Sequence, residues 1–419
     1  MSGRSMLSAL PFVYRHDQLR LSAVGIFVFG FTGAATAPYM SLIGIRELGL
    51  TDAGFSILSF VAALVNVSAS ISMGILSDRL GHYKLPILGA CISGALGYGV
   101  VYAFPTIWTF ALALLIPVPV YGALNSLIFA YVRASCAGMP PRDLIAVNSA
   151  VRAAISLSWV LVPGIVGYAL AGRTSMLPAF LLAALACVFC FILFARFMRE
   201  ETVARAERQE PAYAFLASIR HLGSRQIWPF VLAIALISST LHVNGIVLPL
   251  VVTGKAGGQP ADVGAIVGIV ALLEIIFIFF WGWVETKTSA AVAIAASALL
   301  YCAYMLGLGL ANDPITVYLL TPLSGLGAAG IISLPITYLQ NLIARRAGLG
   351  SSLIAVNIFL AGGLSSLLFS VGTAVSDYSH TAILGALAGL CGVALLGFLH
   401  KRPTVKDDPD IQQESEHHG

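Results

Sequence analysis

GILSDRLGHYK, residues Gly74 to Lys84, joins two long apolar runs near 53–76 and 85–104. A helix needs about 20 mostly apolar residues to cross the roughly 30 Å hydrocarbon core of a bilayer, because each residue rises about 1.5 Å. Each run is long enough for one crossing, and the polar stretch between them is short enough for a tight turn at the membrane surface. The pattern predicts two transmembrane helices joined by a short loop.

The composition of the whole chain extends this prediction. Of the 419 residues, 58% are hydrophobic and 10% are charged, and the mean hydropathy is +0.91. A soluble domain carries about 25% charged residues, so this chain belongs in a lipid bilayer. The net charge of +4 is too small and too dispersed to indicate a nucleic acid partner.

The six cysteines lie within or beside apolar stretches. They include Cys187 and Cys190, which form a C-x-x-C pattern inside an apolar run. We interpret all of them as reduced packing residues, and the sequence predicts no metal site and no cofactor.

Twelve apolar runs have the length of a membrane span. They lie near 21–44, 53–76, 85–104, 107–132, 145–171, 175–196, 227–251, 262–284, 289–310, 315–343, 349–375 and 379–400. The longest polar stretch separates the sixth run from the seventh. We therefore expect a six-helix half at 1–196, a cytoplasmic linker at 197–226, a second six-helix half at 227–400 and a disordered cytoplasmic tail at 401–419.

Lysine and arginine residues outside the spans predict the orientation, because cytoplasmic loops retain positive charge. Nineteen of them fall on the side of the N-terminus, and only Arg46, Arg173 and Lys255 fall on the other side. Both termini are therefore expected in the cytoplasm.

An internal repeat relates the two halves. Leu144–Asn148 has the sequence LIAVN, which recurs at Leu353–Asn357 with an offset of 209 residues, and Pro38 and Pro249 follow nearly the same offset. Parallel repeats of this kind are related by an axis along the membrane normal. We expect an all-α membrane protein with twelve transmembrane helices in two pseudo-symmetric six-helix halves around a central cavity.

Two charges break this repeat. Arg152 corresponds to Ala361 at the offset of 209, and Glu274 corresponds to Val65. On insertion scales a charge at the centre of a span costs about 2.5–3.5 kcal/mol, so such residues normally face a bundle interior or a wet cavity. Both lie about 10–15 Å from the cytoplasmic face. We interpret them as the proton-coupling residues; a structural ion pair that locks two helices is the alternative.

A polar stripe on the fifth span predicts a wall of the cavity. Its members share one helical face through the spacing i, i+4, i+8 and i+11, and they are Asn148, Arg152, Ser156 and Trp159. Amide, guanidinium and hydroxyl groups bond to hydroxyls, and tryptophan stacks on a sugar face, so the stripe suits a polyol. Further candidates for substrate binding are Asn66, Asn125, His242, Asn244 and Asn357. Each amide serves equally well as a hydrogen bond between helices.

The stretch from Gly74 to Lys84 resembles the loop between spans 2 and 3 of the major facilitator superfamily. In that family the loop reads Gly, three residues, Asp, a basic residue, one residue, Gly and then basic residues. The resemblance implies a cytoplasmic latch for the outward-facing state, formed by Gly74, Asp78, Arg79 and Gly81. The match departs at His82 and Tyr83, which stand at positions that are often basic.

Within that superfamily the chain most resembles the sugar efflux transporters. The matching residues are Ala37-Pro38, Ser41-Leu42, Arg152-Ala153, Ser156-Leu157, Trp159-Val160, Leu273-Glu274-Ile275 and Arg346-Ala347-Gly348. The resemblance implies proton-coupled export of sugars or glycosides by alternating access, from a monomer in a bacterial inner membrane. The alternatives are a multidrug/proton antiporter, with a lipophilic drug as substrate, and a sugar/proton symporter.

Two other classes of membrane protein are not supported by the sequence. An enzyme needs a catalytic constellation, and no H-E-x-x-H, phosphate loop or G-x-S-x-G occurs in a plausible setting. A channel needs a ring of charges or a loop that filters ions, and neither pattern is present. We expect a carrier without catalytic residues.

Overall fold

The computed structural model describes residues 6–80, 82–136, 138–173, 175–199, 227–342 and 347–401. Twelve helices in these ranges are long and apolar enough to cross a membrane. Spans 1 to 6 are Asp17–Tyr39, Asp52–Leu80, Lys84–Ala103, Ile107–Ser135, Pro141–Ala169 and Pro178–Phe197. Spans 7 to 12 are Trp228–Val252, Pro260–Lys287, Ala290–Leu310, Pro314–Asn341, Ala347–Val375 and Tyr378–Lys401.

The prediction of twelve spans is confirmed, because every predicted run overlaps one of these helices. One additional helix, Met6–Arg15, precedes span 1 and packs against span 5. The predicted linker 197–226 lies outside the described residues except for its first three positions, and the predicted tail 401–419 lies outside them except for Lys401.

Span 1 changes its helical geometry at Pro38. The α-helix ends at Thr36, a 3₁₀ turn follows at Ala37–Tyr39, and a π-helix occupies Leu42–Glu47. Proline has no backbone N–H, so the carbonyl four residues earlier loses its usual donor and the regular ladder is interrupted. The segment after Pro38 therefore leaves the path of a regular α-helix.

Span 4 is broken by a second proline effect. It consists of Ile107–Leu115, Pro117–Gly122 and Leu124–Ser135, and prolines at 117 and 119 remove two donors from its middle. The Ser93 hydroxyl of span 3 donates to the Pro117 carbonyl oxygen at 2.9 Å. A side chain of a neighbouring span thus bonds to the backbone at the break.

The two sets of six helices meet mainly where span 5 packs against span 8 and span 2 packs against span 11. The 3₁₀ turn of span 1 also packs against spans 7 and 8. In a six-span repeat, span 2 corresponds to span 8 and span 5 corresponds to span 11. The contact between spans 5 and 8 is therefore equivalent to the contact between spans 11 and 2. The arrangement is the expected one of two pseudo-symmetric halves around a central space.

Glycines bring spans 5 and 8 into backbone contact. A Cβ atom on Gly268 would lie 2.9 Å from the Val160 carbonyl oxygen, and one on Gly167 would lie 3.2 Å from Ala261 Cα. A larger residue at either position would separate the helices. Close approach through small residues is the usual packing device of helices in lipid.

Candidate functional site

A cavity of about 420 Å³ lies between the halves, and spans 1, 2, 7 and 11 line it. Its volume falls in the range of about 300–1,000 Å³ typical of small-molecule sites. The side chains that can form hydrogen bonds in its wall are Ser41, Ser59, His242, Ser365 and Ser366. The rest of the wall is apolar and includes one aromatic ring, that of Phe55.

Small residues create the space for this cavity. Ala37 and Ala63 contribute from spans 1 and 2, and Gly245 and Gly362 contribute from spans 7 and 11. Because each of these positions carries at most one side-chain carbon, the helix backbones approach the central axis without filling it.

His242 is the one titratable residue in the described wall, and its side chain is exposed. Its Nδ1 atom lies 3.0 Å from the Ser238 carbonyl oxygen. A carbonyl oxygen only accepts, so the hydrogen-bond network assigns the proton of the neutral ring to Nδ1. Nε2 is then an acceptor for a ligand hydroxyl, and the position agrees with the sequence-based choice of His242.

The two mid-span charges do not form an ion pair in the described part of the chain. Arg152 is exposed, and its guanidinium lies 5.7 Å from the centroid of the Phe129 ring in span 4. Glu274 is half-buried and acts electrostatically on Tyr301 of span 9. Each charge therefore contacts its own half, and neither belongs to the wall of the cavity.

The other members of the span 5 stripe also lie outside that wall. Trp159 packs near span 1, where a Cβ atom on Gly33 would lie 3.8 Å from the indole ring. Asn148 Oδ1 is buried without a hydrogen-bond partner among the described residues, and Ser156 is half-buried. Two members of the stripe thus have neighbours in their own half, Arg152 in span 4 and Trp159 in span 1.

Two asparagines of the second half bond between helices. Asn244 Oδ1 accepts from the Tyr304 hydroxyl of span 9 at 3.1 Å. Asn357 Nδ2 donates to Ser238 Oγ of span 7 at 3.3 Å. These contacts match the alternative that the sequence left open for amides in a helix bundle.

The two remaining asparagines lie in the first half. The Asn66 amide lies over Gly122, where an added Cβ would be 3.3 Å from Nδ2. Asn125 Oδ1 is buried and has no hydrogen-bond partner in the described part of the structure. Neither residue belongs to the cavity wall.

A cluster of buried hydroxyl and amide groups lies on spans 7, 9 and 10 and was not predicted. Tyr301 and Tyr304 of span 9 are fully buried, and Asn244 and Ser324 face their hydroxyls from spans 7 and 10. The spacing of three residues between the tyrosines was visible in the sequence. Only the structure reveals that Asn244 and Ser324 face them and that Glu274 acts electrostatically on Tyr301.

The halves are hydrogen-bonded at one end of the bundle, the distal end, which holds residues 40–56, 246–258 and 366–378. Ser41 Oγ donates to the Ile246 carbonyl oxygen at 2.8 Å, and Ser56 Oγ donates to that of Ser366. The Tyr378 hydroxyl also donates to Asp52 Oδ1 at 3.0 Å. All of these hydrogen bonds between the halves lie at this end.

Arg46 is a basic residue of the distal end that bonds across the halves. Its Nη1 atom donates to Thr253 Oγ1 at 2.9 Å, and its Nη2 atom donates to the Leu250 carbonyl oxygen at the same distance. The last carbonyls of a helix lack backbone donors, and a cation near them also interacts favourably with the helix dipole. The sequence indicated only that Arg46 lies on the side opposite the termini.

The expected latch is described only in part. Gly74 lies in span 2, and no described heavy atom lies within 4 Å of a Cβ added there. The side chains of Asp78 and Arg79 and the whole of Gly81 lie outside the described residues. The latch therefore stays a prediction.

The chain was compared with known proteins. A sequence model of the Major Facilitator Superfamily matches residues 22–366. A Deinococcus radiodurans protein provisionally named a sugar efflux transporter is 26% identical over 396 residues, which are 91% of this chain and 98% of the relative. Sugar efflux transporter A of Escherichia coli K12 is 24% identical over 375 residues, or 88% of this chain and 92% of the relative.

Solved structures share the fold at lower sequence identity. The nucleoside transporter NupG superposes with a TM-score of 0.79 at 13% identity, over 92% of this chain and 99% of its own. A mutant of the peptide transporter POT gives 0.75 at 14% identity, over 96% of both chains. The family match extends over most of the chain, and these folds agree with it. The protein is a multi-pass membrane protein that belongs to the major facilitator superfamily.

Proposed function

We propose that this protein is a secondary active transporter that exports sugars or glycosides in exchange for protons by alternating access. The observation that carries the proposal is a cavity with four serine hydroxyls in its wall, which lies between two halves that are bonded to each other at the distal end. The names of the relatives, which refer to sugar efflux, support the same substrate class.

The chemistry of the cavity wall suits a neutral polyol. Ser59, Ser365 and Ser366 offer hydroxyl groups, and neutral His242 offers Nε2 as an acceptor. The described wall contains no carboxylate that would attract a lipophilic cation, and Phe55 is its single aromatic residue. A multidrug site would instead be mainly aromatic, so a sugar is the better fit.

Glu274 is the proposed proton carrier. It acts electrostatically on Tyr301, a member of the cluster of tyrosine, serine and asparagine side chains on spans 7, 9 and 10. Gain or loss of one proton changes the charge that acts on Tyr301, and that change is able to alter how span 8 packs. We propose that Arg152 pairs with Glu274 in another conformation of the cycle, since the two lie at similar depth on packed spans 5 and 8.

The orientation follows from the distribution of basic residues. We propose that both termini lie in the cytoplasm of a bacterium and that the distal end faces the outside of the inner membrane. The structure then corresponds to a state that is closed to the outside.

Counterflow in proteoliposomes tests the proposal. Vesicles preloaded with unlabelled sucrose should accumulate labelled sucrose, and a pH gradient should drive net movement without preloading. Tetraphenylphosphonium serves as the probe for the drug-export alternative. Proton-driven movement of that cation with no movement of any tested mono- or disaccharide would overturn the sugar assignment.

A further inference from the structure

Three serine hydroxyls near the cavity differ in their contacts. Ser41 Oγ bonds to the Ile246 carbonyl oxygen across the halves and also lines the cavity. Ser56 bonds across the halves to Ser366 but does not line it, and Ser59 lines it without a described bond between the halves. Ser41 is thus the one described serine that combines a cavity wall position with a side-chain bond between the halves.

The helical irregularity of span 1 explains how Ser41 reaches span 7. In a regular helix a hydroxyl usually bonds back to the carbonyl four residues earlier, as Thr36 Oγ1 does with Thr32 at 2.8 Å. Ser41 immediately precedes the π segment, two residues after the 3₁₀ turn ends. Its hydroxyl bonds to a carbonyl of span 7 and not to one of its own helix. π segments inside helices occur frequently at functional sites, so this geometry independently supports a functional role for Ser41.

Both partners of this bond belong to the cavity wall, because Ile246 lines the cavity as well. A ligand hydroxyl has one hydrogen to donate and two lone pairs. It can accept from Ser41 and donate to the Ile246 carbonyl oxygen. The direct bond between spans 1 and 7 is then replaced without leaving a buried polar group unpaired, which would cost about 1–3 kcal/mol.

We propose that Ser41 is the residue through which a hydroxylated ligand loosens the distal end. The ligand class is a neutral polyol, one hydroxyl of which inserts between Ser41 Oγ and the Ile246 carbonyl oxygen. Ser41 is 1% exposed in this structure, in which its hydroxyl bonds to the Ile246 carbonyl oxygen. A ligand shifts an equilibrium only by binding one state better than another, and this exchange supplies such a difference. The inference rests on the proposed sugar specificity.

A matched set of serine variants separates the roles. Ser41→Ala removes the shared hydroxyl, Ser56→Ala removes only a bond between the halves, and Ser59→Ala removes only a wall hydroxyl. Ser41→Thr keeps the hydroxyl and serves as the rescue variant. Monodisperse elution in detergent establishes that each variant is folded.

Two readouts are measured on the full chain with sucrose as the probe. Calorimetry gives the Kd, and spin labels at Ala53→Cys and Ala374→Cys, on exposed distal positions of opposite halves, report the opening of that end. Cys391→Ser provides the background, because the other cysteines are buried.

Ser41→Ala should raise the Kd about tenfold, the effect of one lost hydrogen bond, and should abolish the sucrose-induced lengthening of the label distance. Ser41→Thr should restore both. Ser56→Ala should change the distance without ligand but keep the Kd within about threefold, and Ser59→Ala should weaken binding but keep the sucrose response.

A normal Kd or a normal sucrose response in folded Ser41→Ala would overturn the role of Ser41 and leave the proposed function intact. If wild-type protein neither binds nor moves any sugar, the proposed function fails and the polyol exchange fails with it.

Discussion

The Arg46 guanidinium of span 1 lies over the end of span 7 and donates to the Leu250 carbonyl oxygen at 2.9 Å. The same side chain also reaches the carbonyl and hydroxyl oxygens of Thr253. A cation of one half therefore caps a helix of the other half. This contact must break whenever the halves separate at the distal end.

Removal of the Arg46 side chain should open the distal end. Arg46→Ala loses the hydrogen bonds and the interaction with the helix dipole, which is worth about 0.3–1 kcal/mol at a surface. We expect several-fold faster labelling of distal cysteines, measured with a membrane-impermeant maleimide. Arg46→Lys keeps the charge but not the fork geometry, so it should give an intermediate rate. Equal rates in all three proteins would show that the cap does not hold this end closed.

Glu274→Gln should uncouple transport from protons. The amide keeps the size of the side chain but cannot exchange a proton, so flux driven by a pH gradient should fall at least tenfold while counterflow persists. Glu285→Gln is the matched control, because it changes a glutamate of the same span near its end. If Glu274→Gln retains pH-driven flux in the proteoliposome assay, the proton carrier lies elsewhere.

Gly268→Ala should destabilise the contact between spans 5 and 8. The new Cβ would lie 2.9 Å from the Val160 carbonyl oxygen, and overpacking of this kind costs about 1–3 kcal/mol. Gly282→Ala, on the same span with open space around it, should be tolerated. Thermal unfolding in mild detergent compares the two variants, and an equal Tm would show that the helices adjust freely.

Acid should weaken the start of span 12 through Asp377. The His380 backbone N–H donates to its carboxylate at 2.8 Å, and this bond, followed by the contact with the His380 ring, lowers the pKa of Asp377 below its ordinary value. A lowered pKa in the folded state means that the stabilisation is present above the ordinary aspartate pKa of about 3.9. It is lost as the pH falls through the lower folded value.

Hydrogen exchange of the first turn of span 12 tests whether acid destabilises this turn. Exchange should accelerate below about pH 4 in the wild type. Asp377→Asn, which does not ionise, should show no such acid step after correction for intrinsic exchange. An acid step of equal size in both proteins would assign the effect to another group.

The sequence predicted the spans well because the bilayer imposes one simple requirement, a long apolar run, which is local. Twelve runs gave twelve helices. The interruptions of spans 1 and 4 were harder to predict from the sequence than the spans themselves, even though Pro38 and Pro117 mark their positions. A proline marks a possible break, but whether the chain continues as a 3₁₀ turn, a π-helix or a new helix depends on the packing around it.

The site was harder to predict, because a helical stripe does not reveal which neighbour it faces. The spacing of Arg152 and Trp159 predicted a cavity wall, yet in this structure both have neighbours in their own half. His242, a predicted substrate-binding residue, lines the cavity, and its role stays a prediction. The contacts of Ser41 and Arg46 across the halves were not predicted, since most of their partners are backbone carbonyls, which no sequence pattern distinguishes.

The hydrogen bonds at the distal end differ in how easily a mutation can remove each partner. Side chains of the first half, those of Ser41, Arg46 and Ser56, act as donors, and most of their acceptors in the second half are peptide oxygens. The exceptions are the Thr253 hydroxyl, which accepts from Arg46, and the Tyr378 hydroxyl, which donates to Asp52. Point mutations erase a donor side chain but leave a peptide oxygen in place. The strength of closure at this end can therefore be adjusted largely by substitutions in the first half, while the second half remains free to diversify its side chains for different substrates.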